Sequence, residues 1–238
     1  AIKKQVRTKF MQKNLQSNPD LNKPYVYLAL NVDEEASLFY YSPFFTDQVE
    51  VIRHVAKSLP VDHMLYVKDH IHSVFRSWRS IKECKEIMEI PNVILIHPSY
   101  SSLELTKHSK MVVTVRGTAS FEAACEGKPS IVFGDVPFSI LPSVHKVDSL
   151  SELPDLIRTC LNSKVDISYA QKYIELIDSR SVDFSMMDFE VKRNHHFYSG
   201  NILSDINITE ENVKQFLENN KEYFESLTSA HLTKINCN

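Results

Sequence analysis

Between Met111 and Asp135 the sequence reads MVVTVRGTASFEAACEGKPSIVFGD. An apolar run rich in valine ends at Val115, a turn is marked by Arg116–Gly117, and the small-residue stretch Thr118–Glu126 predicts a helix that Gly127 terminates. A helix that starts just past the end of a buried strand presents unpaired N–H groups and the positive end of its dipole, an arrangement suited to phosphate. Gly117 would let the backbone approach the anion. Thr118 and Ser120 would add hydroxyl donors, and Arg116 a fixed positive charge. Glu122, one turn into the helix, is placed to accept the two hydroxyls of a ribose. These residue types in this order predict a nucleotide-type phosphate site. Of the four glycines in the chain, Gly117, Gly127 and Gly134 fall in this one segment, so the backbone is expected to need them there.

Elements must hold such a segment in place. Five short apolar runs, Tyr25–Leu30, Met64–Lys68, Asn92–Ile96, Met111–Val115 and Ser130–Phe133, read as strands covered on both faces. Helical stretches lie between them at Thr46–Leu59, with Thr46 as the expected N-cap, and at Phe75–Met88, Ser101–His108 and Thr118–Glu126. The alternation predicts an α/β fold with a doubly wound, mostly parallel, Rossmann-like sheet. Ligands of such sheets bind outside the carboxyl ends of the strands. From Ser149 onward the chain reads as helical at Leu150–Leu161, Ile167–Asp178 and Thr209–Leu227, with Ser181–Asn207 irregular. The expected organisation is a basic N-terminal helix or linker over residues 1–23, a Rossmann-like domain carrying the nucleotide-type site over 24–165, and a C-terminal helical extension over 166–238 packing on it.

The composition narrows the function. A net charge of −3 argues against a nucleic-acid partner, which calls for a basic face. Cys84, Cys125, Cys160 and Cys237 form no CxxC pair and read as free thiols of a reducing compartment. No apolar run approaches the roughly 20 residues of a membrane span. His195–His196 lacks partners at ligand spacing, so no metal site is expected. The first residue is Ala1, so the chain is expected to be a piece of a longer protein.

The run GTASFEAACEGKPSIVFGD resembles the nucleotide-sugar half of GT-B glycosyltransferases, the C-terminal-domain type. More narrowly, it is similar to the bacterial capsular polysaccharide synthesis family, which includes the Kdo transferases of capsule export. NVDEEASLFYYSPFFTDQVEVIRHVAKSLP resembles that family's first strand, acidic loop and following helix, and LYVKDH its second strand, which usually ends in Lys-acid-His-Pro. The similarity runs from Pro24 to Val147. It implies that His70 contacts the donor's phosphate, with Lys68 helping to neutralise the leaving nucleotide, although Ile71 replaces the proline. His97, beside Pro98, is the rival. Among Asp33–Glu34–Glu35, Glu35 best fits the family's acidic residue facing the cleft, where a carboxylate can act as general base toward an acceptor hydroxyl. Gln48, ending a family-like Phe-Phe-x-Asp-Gln run, is expected to cap the helix or face solvent.

The resemblance therefore implies a cytoplasmic glycosyltransferase, or its donor-binding domain, acting at the inner face of the membrane if it associates peripherally. It needs no cofactor: its substrates would be a nucleotide-activated sugar, with CMP- and UDP-linked donors as options, and a saccharide or glycolipid acceptor. Two alternatives stand beside it. One is a non-catalytic nucleotide-sugar-binding or assembly component of polysaccharide export. The other is an enzyme similar to nucleotide-sugar epimerases.

Overall fold

The computed structural model describes residues 2–32, 36–70, 79–182, 184–199 and 208–236. The chain opens with α1 (Ile2–Asn14) and enters β1 (Tyr25–Ala29). There follow α2 (Ala36–Tyr41), a 3-10 turn at Pro43–Phe45, α3 (Gln48–Ser58), β2 (Met64–Lys68), α4 (Ile81–Met88), β3 (Val93–Ile96), α5 (Ser102–His108) and β4 (Met111–Thr114). Then come α6 (Ala119–Cys125), β5 (Ser130–Val132), β6 (Val144–Lys146), a 3-10 turn at Leu150–Glu152, α7 (Leu153–Asn162) and α8 (Ser168–Arg180). The last helices are α9 (Met186–Tyr198), α10 (Glu210–Asn219) and α11 (Lys221–Asn236).

Among the described residues, six strands form one sheet in the order β3-β2-β1-β4-β5-β6. Every neighbouring pair is parallel, as in Leu28 opposite Val67 on one side and Val113 on the other. Chain order reverses between β1 and β4, so their carboxyl ends diverge into connections on opposite faces. Side chains alternate along each strand. Val26, Leu28, Leu65, Val67, Val113 and Ile131 meet α3, α4 and α7 through Ile52, Val55, Ile87 and Ile157. Tyr25, Tyr27, Tyr66, Ile96 and Val112 meet α5 and α6 through Leu105 and Ala123. Tyr25 and Tyr66 stack with ring centroids 4.2 Å apart. The sheet is thus wound on both faces, as the alternating sequence predicts.

Several elements differ from expectation. α3 is capped by Asp47, whose carboxylate accepts from the amides of Val49 and Glu50, while Thr46 belongs to the preceding turn. Of the helix expected over Phe75–Met88, residues 75–78 lie outside the described residues, and α4 starts after Ser80 in a reciprocal capping box with Glu83. β6 was not expected, because three residues at a sheet edge with one buried side chain carry no apolar run. α9 occupies a stretch expected to be irregular; Ser185 caps it, and Met186, Met187 and Val191 are exposed, so no apolar stripe announces it. Thr209 does cap a helix, but the expected single helix is two, α10 and α11, interrupted at Asn220.

Residues Ala1–Glu175 and Leu176–Asn238 form two separate units. Within the second, Phe189 packs edge to face against Phe216 and Phe224. No described helix is long and apolar enough to cross a membrane.

Candidate functional site

At the carboxyl ends of β1 to β4 lies a cleft of about 360 Å³, within the size range of small-molecule sites. It sits at the reversal of strand order, where an open sheet of this topology leaves a crevice. β1 contributes Tyr27, Ala29 and the following Asn31; β2 ends in Lys68, Asp69 and His70; the segment after β3 adds Pro98 to Ser102; β4 and the turn into α6 add Thr114, Gly117, Thr118, Ala119 and Glu122.

The turn at Gly117 is held from below. Asn31 Nδ2 donates to the Arg116 carbonyl at 2.8 Å, and Asn31 Oδ1 accepts from Thr114 Oγ1 and from the Arg116 amide, each at 3.2 Å. Asn31 is itself fixed by Gln48, whose side chain accepts from the Asn31 amide at 2.8 Å and donates to the Asn31 carbonyl at 3.0 Å. Gln48 is 1% exposed; the expectation that it would cap or face solvent is corrected. A Cβ on Gly117 would stand 2.7 Å from Thr114 Oγ1, so glycine is needed there for close packing of the protein on itself. Among the described residues the amides of Gly117, Thr118 and Ala119 meet no acceptor, as the first turn of a helix leaves them. Thr118 gives no capping hydrogen bond to the helix; its hydroxyl donates to Glu122 Oε1 at 3.2 Å.

Across the cleft stands Lys68, a residue 4% exposed. Its ammonium donates to Ser102 Oγ at 2.9 Å and reaches the Asp69 carbonyl at 3.5 Å. Burial pushes its pKa below the ordinary lysine range, opposed by the Asp69 and Glu122 carboxylates. The Asp69 carboxylate lies 3.4 Å from the buried guanidinium of Arg79, which also reaches Glu83 at 3.6 Å. Tyr27 shares the wall: burial raises its phenol to about 12, a hydrogen bond with Ser102 works against this, and Glu122 adds to it. Among the described residues, the Lys68 ammonium, the exposed Glu122 carboxylate and the amides of Gly117 to Ala119 therefore line a common space, which suits a ligand carrying both an anion and hydroxyl groups.

Of the residues singled out in the sequence, Lys68, His70, Gly117, Thr118 and Glu122 line this cleft together. Ser120 does not: it is fully buried, and its hydroxyl donates to the Gly117 carbonyl at 2.8 Å. Arg116 does not either: its Nε donates to the Asp135 carbonyl at 2.7 Å, and its guanidinium lies 4.2 Å from the ring centre of Tyr41. Glu35 lies outside the described residues. His97 turns onto Ser99, with Nδ1 and the hydroxyl 2.7 Å apart, and burial lowers its pKa. Tyr27, Asn31 and Ser102 were missed. Ser101 and Ser102 carried a signal, since serines opening a helix after a buried strand repeat the logic applied to Thr118. Among the described residues no group of three or more His, Cys, Asp or Glu side chains is arranged to hold a metal ion. Cys84, Cys125 and Cys160 are free thiols.

No curated protein sequence matches the chain. Solved structures do. UDP-GlcNAc 2-epimerase of Methanocaldococcus jannaschii, in complex with UDP-GlcNAc and UDP, is 15% identical, with a TM-score of 0.46 over 72% of this chain and 48% of that one. The β-Kdo 2,7 transferase of Thermosulfurimonas dismutans KpsC is 15% identical, with a TM-score of 0.44 over 74% of this chain and 61% of that one. The β-Kdo 2,4 transferase of the same KpsC is 15% identical, with a TM-score of 0.40 over 61% and 47%. The chain thus spans about half the length of these structures. Residues 1–142, which hold every cleft-lining residue, match the model of the capsule polysaccharide biosynthesis proteins, and the chain belongs to that family.

Proposed function

We propose that the chain is the donor-binding part of a glycosyltransferase of capsule polysaccharide synthesis, with a nucleotide-activated sugar held in the cleft at the β1–β4 reversal. The observation that carries this reading is the convergence of Lys68, the amides of Gly117 to Ala119 and the Glu122 carboxylate on one space. The donor's phosphate would lie against the amides and the Lys68 ammonium, where fixed donors stabilise the charge that builds on a leaving nucleotide. Thr118 orients one oxygen of Glu122 and leaves the other for the ribose hydroxyls. His70, exposed at the rim, would add a donor on the phosphate. The general base toward the acceptor falls in this reading to Glu35, which follows β1 in the sequence.

The test is calorimetry of the chain with CMP and UDP, followed by nucleotide release from a matching activated sugar with a saccharide acceptor. At least one nucleotide is expected to bind saturably, and Glu122→Ala to weaken it about tenfold, as loss of a hydrogen bond to a charged group does, with the unfolding midpoint unchanged. No binding, or equal affinity in the variant, overturns the donor site. Binding without turnover in the full-length gene product would leave nucleotide-sugar recognition within the assembly machinery as the role.

A further inference from the structure

The back wall of the cleft brings together side chains from three elements, Tyr27 of β1, Lys68 of β2 and Ser102 of α5, with Lys68 donating to Ser102 at 2.9 Å. An ammonium only donates, so Ser102 Oγ must accept from Lys68. The Ser102 proton is then free for an acceptor other than Lys68, and the Ser102 hydroxyl works against the burial that raises the neighbouring Tyr27 phenol. A lysine has a flexible four-carbon stem and normally spreads its charge over many rotamers. Here the stem is buried, one ammonium proton is committed to Ser102 and another reaches the Asp69 carbonyl at 3.5 Å, which leaves the third for the cleft.

From this geometry we infer that Ser102 is a positioning residue for Lys68: it fixes the ammonium on the back wall, aimed at the place where a nucleotide's phosphate would lie. The assignment deepens the donor-site reading and rests on it for the identity of the anion, but the tether itself belongs to the free protein. Ser102 is the first residue of α5, whose cap is the neighbouring Ser101, so its hydroxyl is not spent on starting the helix. The titratable groups facing Lys68 are Asp69 at its own strand end, Glu122 on α6 and Tyr27 on β1, with His70 lining the same cleft. Removing the Ser102 hydroxyl takes away a partner of the charged form and leaves these groups in place.

The tether is read first without ligand. In protein carrying 13C-labelled lysine, the Lys68 resonance, assigned by its absence from Lys68→Met, is followed against pH. Lys68 is expected to lose its proton at lower pH in Ser102→Ala than in the unchanged chain, and Ser102→Thr to restore the original titration. An identical titration in Ser102→Ala overturns the tether, whether or not a nucleotide binds. UDP or CMP affinity is then measured in a double-mutant cycle. Ser102→Ala is expected to weaken binding about tenfold in the unchanged chain, the size of a lost hydrogen bond to a charged group, and to have no further effect beside Lys68→Met. Equal losses on both backgrounds would overturn action through Lys68. An altered Lys68 titration in a protein that binds no nucleotide would sink the donor site and leave the tether standing.

Discussion

Single residues in the cleft are set by burial against hydrogen bonding, and Tyr27 shows the consequence for stability. Its phenol holds its proton to about 12 in the folded chain against an ordinary 10.0. The folded state thus keeps a proton that the unfolded chain sheds. The stability this contributes is fully present below pH 10 and is lost as pH rises through about 12. Lys68 acts in the opposite sense: its pKa lies below 10.5, so the unfolded chain binds the extra proton and stability rises with pH toward 10.5. In urea unfolding at pH 9 and pH 11, Tyr27→Phe is expected to lose less stability between the two pH values than the unchanged chain. A fall of the same size in both would remove Tyr27 as a source of alkaline sensitivity. At this scale the sequence located the Gly117 turn and the strand that ends at Lys68, but it read Gly117 as making room for an anion, whereas its missing Cβ makes room for Thr114 Oγ1. It misled at Ser120 and Arg116 because residue type does not say where a side chain points. Ser120 falls on the buried side of α6, and Arg116 swings onto Asp135 and Tyr41.

The elements carry the site through a latch that sequence alone leaves hidden. Gln48 looks like an ordinary first-turn residue of α3, yet it is paired with the backbone of Asn31 just past β1. That pairing tells which way β1 leaves the sheet, and Asn31 passes the constraint on to the Arg116–Gly117 turn. Gln48→Leu keeps the volume but leaves a buried N–H and a buried carbonyl without partners. A loss of about 2–4 kcal/mol in urea unfolding is expected, from two orphaned groups at ~1–2 kcal/mol each. A change under ~0.5 kcal/mol, the usual surface effect, would show that water satisfies Asn31 instead. The strands themselves were legible because burial on both faces writes continuous apolar runs, as in Met111–Val115. β6 and α9 were not, since an edge strand and a helix with exposed methionines lack that pattern. The shift of the α3 cap from Thr46 to Asp47 is a competition between two adjacent good caps, settled by the Pro43–Phe45 turn that absorbs Thr46.

For the whole molecule, the division at Glu175–Leu176 places every cleft-lining residue in the first unit. A chain ending at Arg180, which keeps α8 whole, is expected to bind nucleotide within about twofold of the complete chain, a difference of only ~0.4 kcal/mol. A loss beyond tenfold would mean that residues after Arg180 contribute to the site.

The hydrogen bond from Asn31 to the Arg116 carbonyl joins positions 85 residues apart in the chain. Parallel pairing of β1 with β4 closes that same long loop, and contacts of such separation slow folding because the entropy of closure must be met first. During synthesis the growing chain therefore has no binding cleft until β4 has emerged and docked. A ligand that recognises only the finished crevice binds the folded chain and not the unfolded one, so it adds its binding energy to the stability of the fold.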